Sequence, residues 1–261
     1  MTEITAIDAA HAAMEAAPDD TTLRLKFYER VADSELVLAL ASEVEDGELF
    51  PLVFPVDDGK MVLAFDREER LTEFLGGAAP YAAMPGRRLV QMMADQGASL
   101  GLNLEVAPSS IVLPHEVLVW LAETLAARPA EMEAQPTEIH PPMALPEAVL
   151  TALDAKLARA GGLAASAYLV QATYEGGSKA PLLAFIDALP DAQVSLAEAA
   201  QEALTFAGIE AGMIDVAFFE ASSPLAGALA RHGLRFDLPE LKRPHTPGAP
   251  GMNPEMPPKL R

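Results

Sequence analysis

Two adjacent arginines are the polar residues best suited to hold a ligand. Arg87 and Arg88 follow Pro85 and Gly86 and precede an apolar, helix-spaced stretch. Guanidinium groups at a helix start can bind a carboxylate or a phosphate through paired, charge-assisted hydrogen bonds. The alternative, which we favour, is one internal ion pair beside one exposed charge. The sequence thus offers Arg87 and Arg88 as candidates for binding a small amino-acid-like anion.

A polar corner follows a little further along the chain. Asn103 lies within a predicted strand over Ala98–Val106, and Ser109 and Ser110 follow Pro108 immediately before the next extended segment. Asn103 could be a buried residue that holds the corner by side-chain hydrogen bonds, and we also place Asn103 and Ser109 among the ligand-binding candidates. A serine nucleophile would need a base, and the neighbouring sequence shows none, so turn formation explains the serines better.

Other polar patterns do not complete a catalytic or metal-binding motif. His115 and Glu116 begin like a zinc-protease helix, but Val119 occupies the position of the second histidine. The stretch from 176 to 179 resembles a phosphate loop only in part, and it lies between two apolar runs instead of opening a helix. Asp57 and Asp58 lie at a predicted hairpin turn, which accounts for them without catalysis. We therefore assign no catalytic residue, no metal ligand and no cofactor.

Composition narrows the possible partners. The formal net charge is -20, so nucleic acid and anionic lipid would be repelled. An ordinary acidic, soluble protein is the favoured interpretation of this charge, and a surface that attracts a basic protein partner is the alternative. Cysteine is absent, which excludes thiol chemistry and disulfides. No apolar run is long enough to cross a membrane, and the acidic N-terminus does not resemble a secretory signal, so we expect a cytoplasmic protein.

Hydrophobic periodicity predicts an α+β protein with two domains, each a small mixed or antiparallel sheet covered by helices. The first domain is predicted over residues 1–127 and the second over 147–240. A proline-rich acidic linker over 128–146 joins them, and a disordered, proline-rich basic tail covers 241–261.

Three local patterns predict roles for individual residues. Asp66 is predicted to cap a helix with Glu69 three positions on, and Ser195 with Glu198 to form a capping box. Trp120, the single tryptophan, is expected to anchor the core or an interface, which makes it the candidate for partner binding.

The sequence resembles the SseB family, named for enhanced sensitivity to serine. The resemblance lies in the hairpin PLVFPVDDGKMVLAFDREERLTEF, the helix start PGRRL, and the corner LGLNLEVAPSS before LPHEVLVWL. It spans about residues 20–126, and residues 145–240 resemble the second domain of many members. The family has a named phenotype without an established reaction, so the resemblance implies no active site.

These observations lead to three functional hypotheses. The first is a cytoplasmic, non-enzymatic interaction or regulatory protein of the SseB type, linked through the family to serine sensitivity. The second is a sensor that binds an amino acid or related anion near Arg87 and Asn103. The third is a hydrolase with an unrecognised site. The sequence favours a non-enzyme, and it does not give the oligomeric state, the ligand or the partner.

Overall fold

The computed structural model describes residues 3–44, 48–56, 59–127, 136–209 and 213–239. The fold is α+β, as predicted, with 41% of residues helical and 29% in strands that form two mixed sheets. The predicted tail over 241–261 and the turn residues Asp57 and Asp58 lie outside the described residues.

The N-terminal half contains a six-stranded sheet in the order β4-β1-β3-β5-β6, with β2 also paired to β3. Its strands are β1 (Glu35–Ala39), β2 (Val53–Val56), β3 (Gly59–Phe65), β4 (Tyr81–Pro85), β5 (Ala98–Leu102) and β6 (Ile111–Leu113). Its helices are α1 (Ala6–Ala16), α2 (Thr21–Asp33), α3 (Glu68–Leu75), α4 (Gly86–Gln96) and α5 (His115–Ala126). All pairings are antiparallel except that of β3 with β5.

The two faces of this first sheet are covered unequally. Alternate residues of the strands face a large core shared with α1, α2, α4 and α5. The remaining residues face a smaller apolar cluster under α3. Helix α3 is only 8 residues long. The period-2 alternation of β3 produces this division, since Val62 and Ala64 face the large core while Leu63 and Phe65 face α3.

The C-terminal half contains a five-stranded sheet in the order β10-β9-β8-β11, with β7 paired to β8. Its strands are β7 (Pro136–His140), β8 (Ser166–Tyr174), β9 (Lys179–Ile186), β10 (Asp215–Phe219) and β11 (Leu234–Asp237). Its helices are α6 (Glu147–Leu157), α7 (Gln193–Phe206), preceded by the 3-10 turn Pro190–Ala192, and α8 (Ala226–His232).

Part of the segment predicted as a linker is a strand. Residues Pro136–His140 form β7, which pairs antiparallel with β8, and Ile139 is buried. The sequence did not predict this strand, because the many prolines interrupt the alternation of apolar and polar residues that indicates a strand. Residues 128–135 of the predicted linker lie outside the described residues, and the boundaries of the two predicted domains stay a prediction.

Both predicted helix caps are wrong. The N-cap of α3 is Arg67, which makes no side-chain capping bond, while Asp66 is used elsewhere. The N-cap of α7 is Ala192, and Ser195 lies inside the helix because the preceding 3-10 turn starts the helical path earlier. Strand β4 was also missed, since its alanines and exposed side chains give no apolar alternation.

Candidate functional site

A buried polar network joins α1 to α3 around the end of the first sheet. Asp8 of α1 and Arg70 of α3 are both 1% exposed and form an ion pair, with 3.1 Å between Arg70 Nη1 and Asp8 Oδ1. Arg70 Nη1 also donates to Asp66 Oδ1 at 2.8 Å. Thr5, the N-cap of α1, donates its hydroxyl to Asp66 Oδ2 at 2.6 Å. The network therefore connects the helix layers on opposite faces of the sheet.

Asn103 and Ser109 belong to the same network. Asn103 Oδ1 accepts the backbone N–H of Asp66 at 3.1 Å, and Asn103 Nδ2 donates to Ser109 Oγ at 2.9 Å. Ser109 Oγ in turn donates to Asp8 Oδ1 at 2.6 Å. Asn103 adopts a positive φ of 51°, a conformation that asparagine tolerates better than most residues. Asn103 thus holds the corner after β5, as its place in the sequence suggested.

The electrostatics of the network are those of a structural ion pair. Burial alone would raise the pKa of the Asp8 carboxyl, but hydrogen bonds from Arg70, Ser109 and the Thr5 N–H outweigh it and hold that pKa well below its usual range. Asn103 and Ser109 are 0% exposed. No substrate or ligand could reach the Ser109 hydroxyl or the Asn103 amide unless the network opened, so neither residue presents a free group to solvent.

A second charge cluster, the interhalf cluster, lies where the N-terminal and C-terminal halves meet. It consists of three acids and three bases: Glu29, Asp33, Arg87, Lys156, Arg159 and Glu202. Lys156 of α6 is its centre, with Nζ 2.9 Å from Asp33, 3.0 Å from Glu202 and 3.2 Å from Glu29. Formal charges balance within the cluster, which allows its centre, Lys156, to be buried at the junction.

Lys156 is unsuited to act as a nucleophile. Burial lowers the pKa of its amine, but Asp33, Glu202 and Glu29 outweigh burial, and the net shift is upward. Burial also raises the pKa of the Glu29 carboxyl, only partly offset by Lys156. A protonated lysine among carboxylates fixes the junction between α2, α6 and α7.

The predicted anion-binding arginines have different surroundings. Arg87 is 46% exposed and bridges the two halves, 2.9 Å from Asp33 and 3.2 Å from Glu202. Arg88 is exposed and has no ion pair among the described residues. This arrangement resembles the alternative of one ion pair beside one exposed charge. The ligand-binding roles of Arg87, Arg88, Asn103 and Ser109 stay a prediction.

Trp120 lies on α5 with its indole ring 5.7 Å from the ring of Tyr28, and it is 38% exposed. The exposed part could contact a partner, while the Tyr28 contact ties it to its own domain. Its role as a partner anchor stays a prediction.

The face of the first sheet that carries α3 leaves apolar side chains partly exposed. We call it the α3 face. Tyr81 on β4 and Val112 on β6 lie on this face, as the strand register shows. They belong to the two outer strands and are 39% and 48% exposed. Between them, partly buried apolar side chains surround the core of the cluster; these are Leu52, Phe54, Met61, Phe74, Leu75, Ala79, Leu104 and Val106. Helix α3 covers only the middle of this surface.

Sequence reasoning missed Asp8, Arg70 and Lys156. A signal did exist for the first two, because Asp8 and Arg70 fall on apolar faces of their helices, with Ile7 and Leu71 beside them. Charged residues are almost never buried unless they are paired. Finding the pair would have required knowing that α1 and α3 meet, which their separation of 62 positions concealed.

An open depression of about 470 Å³ lies beside the α1–α3 network. It is lined by the start of α1, the turn into β1 and the residues after β3: Ile4, Thr5, Ala6, Ile7, Ser34, Glu35, Asp66 and Arg67. None of the ligand-binding candidates from the sequence lines it. Within the described part of the chain, no group of three or more His, Asp or Glu residues could hold a metal ion.

The fold and these clusters define an α+β protein with two mixed sheets joined through an ionic junction. Comparison with protein-family models, curated proteins and solved structures found no match for the chain. No helix among the described residues is long and apolar enough to span a membrane.

Proposed function

We propose that this chain is a cytoplasmic, non-enzymatic interaction or regulatory protein that binds a protein partner through the α3 face. The observation that carries the proposal is the unequal cover of the first sheet. One face is sealed by four helices, whereas the other carries a single helix of 8 residues and leaves apolar side chains partly exposed. Contiguous apolar surface of this kind is characteristic of interaction sites.

The surroundings of the polar candidates support a non-enzymatic role. The Ser109 hydroxyl is used by Asp8 and Asn103, and the Lys156 amine is used by three carboxylates. These groups stabilise the fold instead of facing a cleft. A hydrolase built on Ser109 would also have to expose a hydroxyl that is now 0% exposed.

The SseB resemblance supports the same class of function, since that family is known by a phenotype without a reaction. From the family's phenotype we further propose that this protein has a regulatory link to serine. Growth of a strain that lacks this gene, with and without added serine, tests the link. A serine-dependent growth defect that the intact gene reverses is expected; equal growth would remove the serine link while leaving the interaction proposal in place.

Site-directed photo-crosslinking in cells tests the interaction. Tyr81, Val112 and Trp120 are each replaced by p-benzoylphenylalanine, and Val194 and Leu234 serve as matched exposed positions in the C-terminal half. We expect the same discrete protein adduct from both α3-face positions, in the cytoplasmic fraction, and none from the controls. Adducts at Trp120 alone would move the site to α5, and no adduct at any position would contradict the proposal.

A small-molecule sensor is the second candidate, favoured by the depression at the start of α1. Glu35 could hold an ammonium group there, while Arg67 could exchange its exposed partner Glu3 for a ligand carboxylate, so an amino acid is the ligand class that fits. A thermal-shift screen with serine and other amino acids tests it, because a ligand at about 100 times its dissociation constant adds about 2.7 kcal/mol. A shift lost in Glu35→Ala would support the sensor, and no shift would remove it.

A further inference from the structure

We infer that the α3 face binds a basic protein segment whose apolar side chains lie on the sheet while its lysines or arginines meet glutamates at the rim. The inference rests on the proposed interaction function and adds the chemistry of the partner.

The rim of the α3 face is acidic. Glu68, Glu69 and Glu73 are exposed on α3, and Glu105 is exposed on the turn after β5. Glu35 is exposed at the start of β1, and the alternation of side chains along a strand puts it on the same side of the sheet as Val37. Five glutamates therefore border the exposed apolar side chains.

These carboxylates are largely unneutralised. Glu35, Glu69, Glu73 and Glu105 make no ion pair with any described residue, and Glu68 is hydrogen-bonded by the neutral Tyr81. The nearby cations are already engaged, because Arg70 is paired with Asp8 and Asp66, and Arg67 lies 3.2 Å from Glu3. An apolar centre with an uncompensated acidic rim is complementary to a segment that carries the opposite charge.

Charge also excludes a second copy of this chain as the preferred occupant. Each copy has a formal net charge of -20, and a symmetric contact would bring the glutamates of one rim against those of the other. The width of the α3 face fits a short peptide segment. Its five strands, at a spacing of about 4.8 Å, extend over roughly 20 Å.

The test uses the full chain and three synthetic nonapeptides as probes, with binding followed by fluorescence anisotropy. The first alternates lysine with leucine and phenylalanine, the second has glutamate for lysine, and the third has serine for the apolar residues. We expect the first to bind at least about tenfold more tightly than either of the others, which is about 1.4 kcal/mol. Its affinity should fall as salt is raised, because rim charges are screened.

Charge-reversed variants locate the binding site. The double change Glu69→Lys and Glu73→Lys alters exposed positions on α3, and the control Glu116→Lys and Glu123→Lys makes the same change in net charge on exposed positions of α5. We expect the α3 variant to weaken binding of the first peptide at least about tenfold and the control less than about twofold. Equal weakening by both variants would show attraction to general acidity and overturn the inference.

Two further outcomes separate this inference from the proposed function. Photo-crosslinks at Tyr81 and Val112 to a partner with an acidic or neutral contact segment would keep the interaction function and overturn the basic-segment chemistry. A dimer in analytical ultracentrifugation that Tyr81→Lys disperses would assign the face to a second copy. Basic-peptide binding without any cellular adduct would support the surface chemistry and contradict the cellular function.

Discussion

Asp8 and Arg70 lie 62 positions apart in the chain and form an ion pair in which each side chain is 1% exposed. The pair joins the helix layers on the two faces of the first sheet, because Asp8 is on α1 and Arg70 is on α3. A buried ion pair is costly to break, since the remaining charge then has neither water nor a partner. The orientation of α3, and with it the α3 face, depends on this contact.

Removing one partner of the pair should destabilise the protein strongly. Asp8→Ala leaves the Arg70 guanidinium buried with Asp66 as its remaining acid, and we expect a loss of about 3–5 kcal/mol in the free energy of unfolding. Denaturant titration measures it. Glu3→Ala, which breaks the exposed Arg67 pair, is the control and should cost less than about 1 kcal/mol. Equal losses for both variants would contradict the structural role of the network.

The same carboxylate predicts a pH dependence. The pKa of Asp8 is lowered in the folded protein, so the unfolded state binds the proton more tightly and the stability from Asp8 increases with pH. The contribution is complete above the ordinary aspartate pKa of about 4 and is lost as the pH falls below it. The difference in free energy of unfolding between the natural protein and Asp8→Asn should thus shrink between about pH 6 and pH 3. A constant difference would show that folding does not shift the pKa of Asp8, and a difference that grows as the pH falls would show that its folded-state pKa is raised.

Lys156 should hold the interhalf cluster together. Lys156→Met would leave Glu29, Asp33 and Glu202 without their shared ammonium, and we expect a loss of about 3 kcal/mol or more at pH 7. Arg159→Ala is the control, because Arg159 contacts the same Asp33 but is 51% exposed and should cost less than about 1 kcal/mol. Because the folded-state pKa of Lys156 is raised, its contribution is present below the ordinary lysine pKa and declines only as the pH rises through the raised value.

Phe206 belongs to the C-terminal half in sequence and to the N-terminal core in space. It ends α7, is 1% exposed, and packs in the cluster that contains Phe27 and Leu89. We expect Phe206→Ala to cost about 3–5 kcal/mol through the cavity that it leaves. Amide hydrogen exchange should increase in α2. Phe185→Ala, which opens a cavity only in the C-terminal core, should leave exchange in α2 unchanged; faster exchange there with both variants would argue against a role specific to Phe206.

Gly86 should tolerate no side chain. A Cβ there would lie 1.9 Å from the Val31 carbonyl oxygen, because the start of α4 packs directly on the end of α2. We expect Gly86→Ala to cost at least about 2 kcal/mol by thermal or denaturant unfolding. Gly227 in α8 has open space at the same position, so Gly227→Ala should stabilise by roughly 0.5–1 kcal/mol. A neutral Gly86→Ala would show that α2 and α4 can separate without cost.

Local sequence patterns are sufficient to predict the α+β class and most of the helices and strands. Apolar residues at four-residue spacing, as in Leu23, Phe27 and Val31, specify a helix, and the alternation around β3 specifies a strand, because both patterns are local. The hairpin of β2 and β3 was confirmed for the same reason. The resemblance to a serine-linked family stays a hypothesis from the sequence.

The contacts of the polar residues emerge only in the folded chain. Asp66 was predicted to cap a helix and is instead a partner of Arg70 and Thr5. The ion pair of Arg87 with Glu202 joins positions 115 residues apart. Such pairs join segments distant in the chain, and no local pattern specifies which segments meet. The α3 face has the same origin, since alternation predicts that a strand has two faces but not how many helices cover each one.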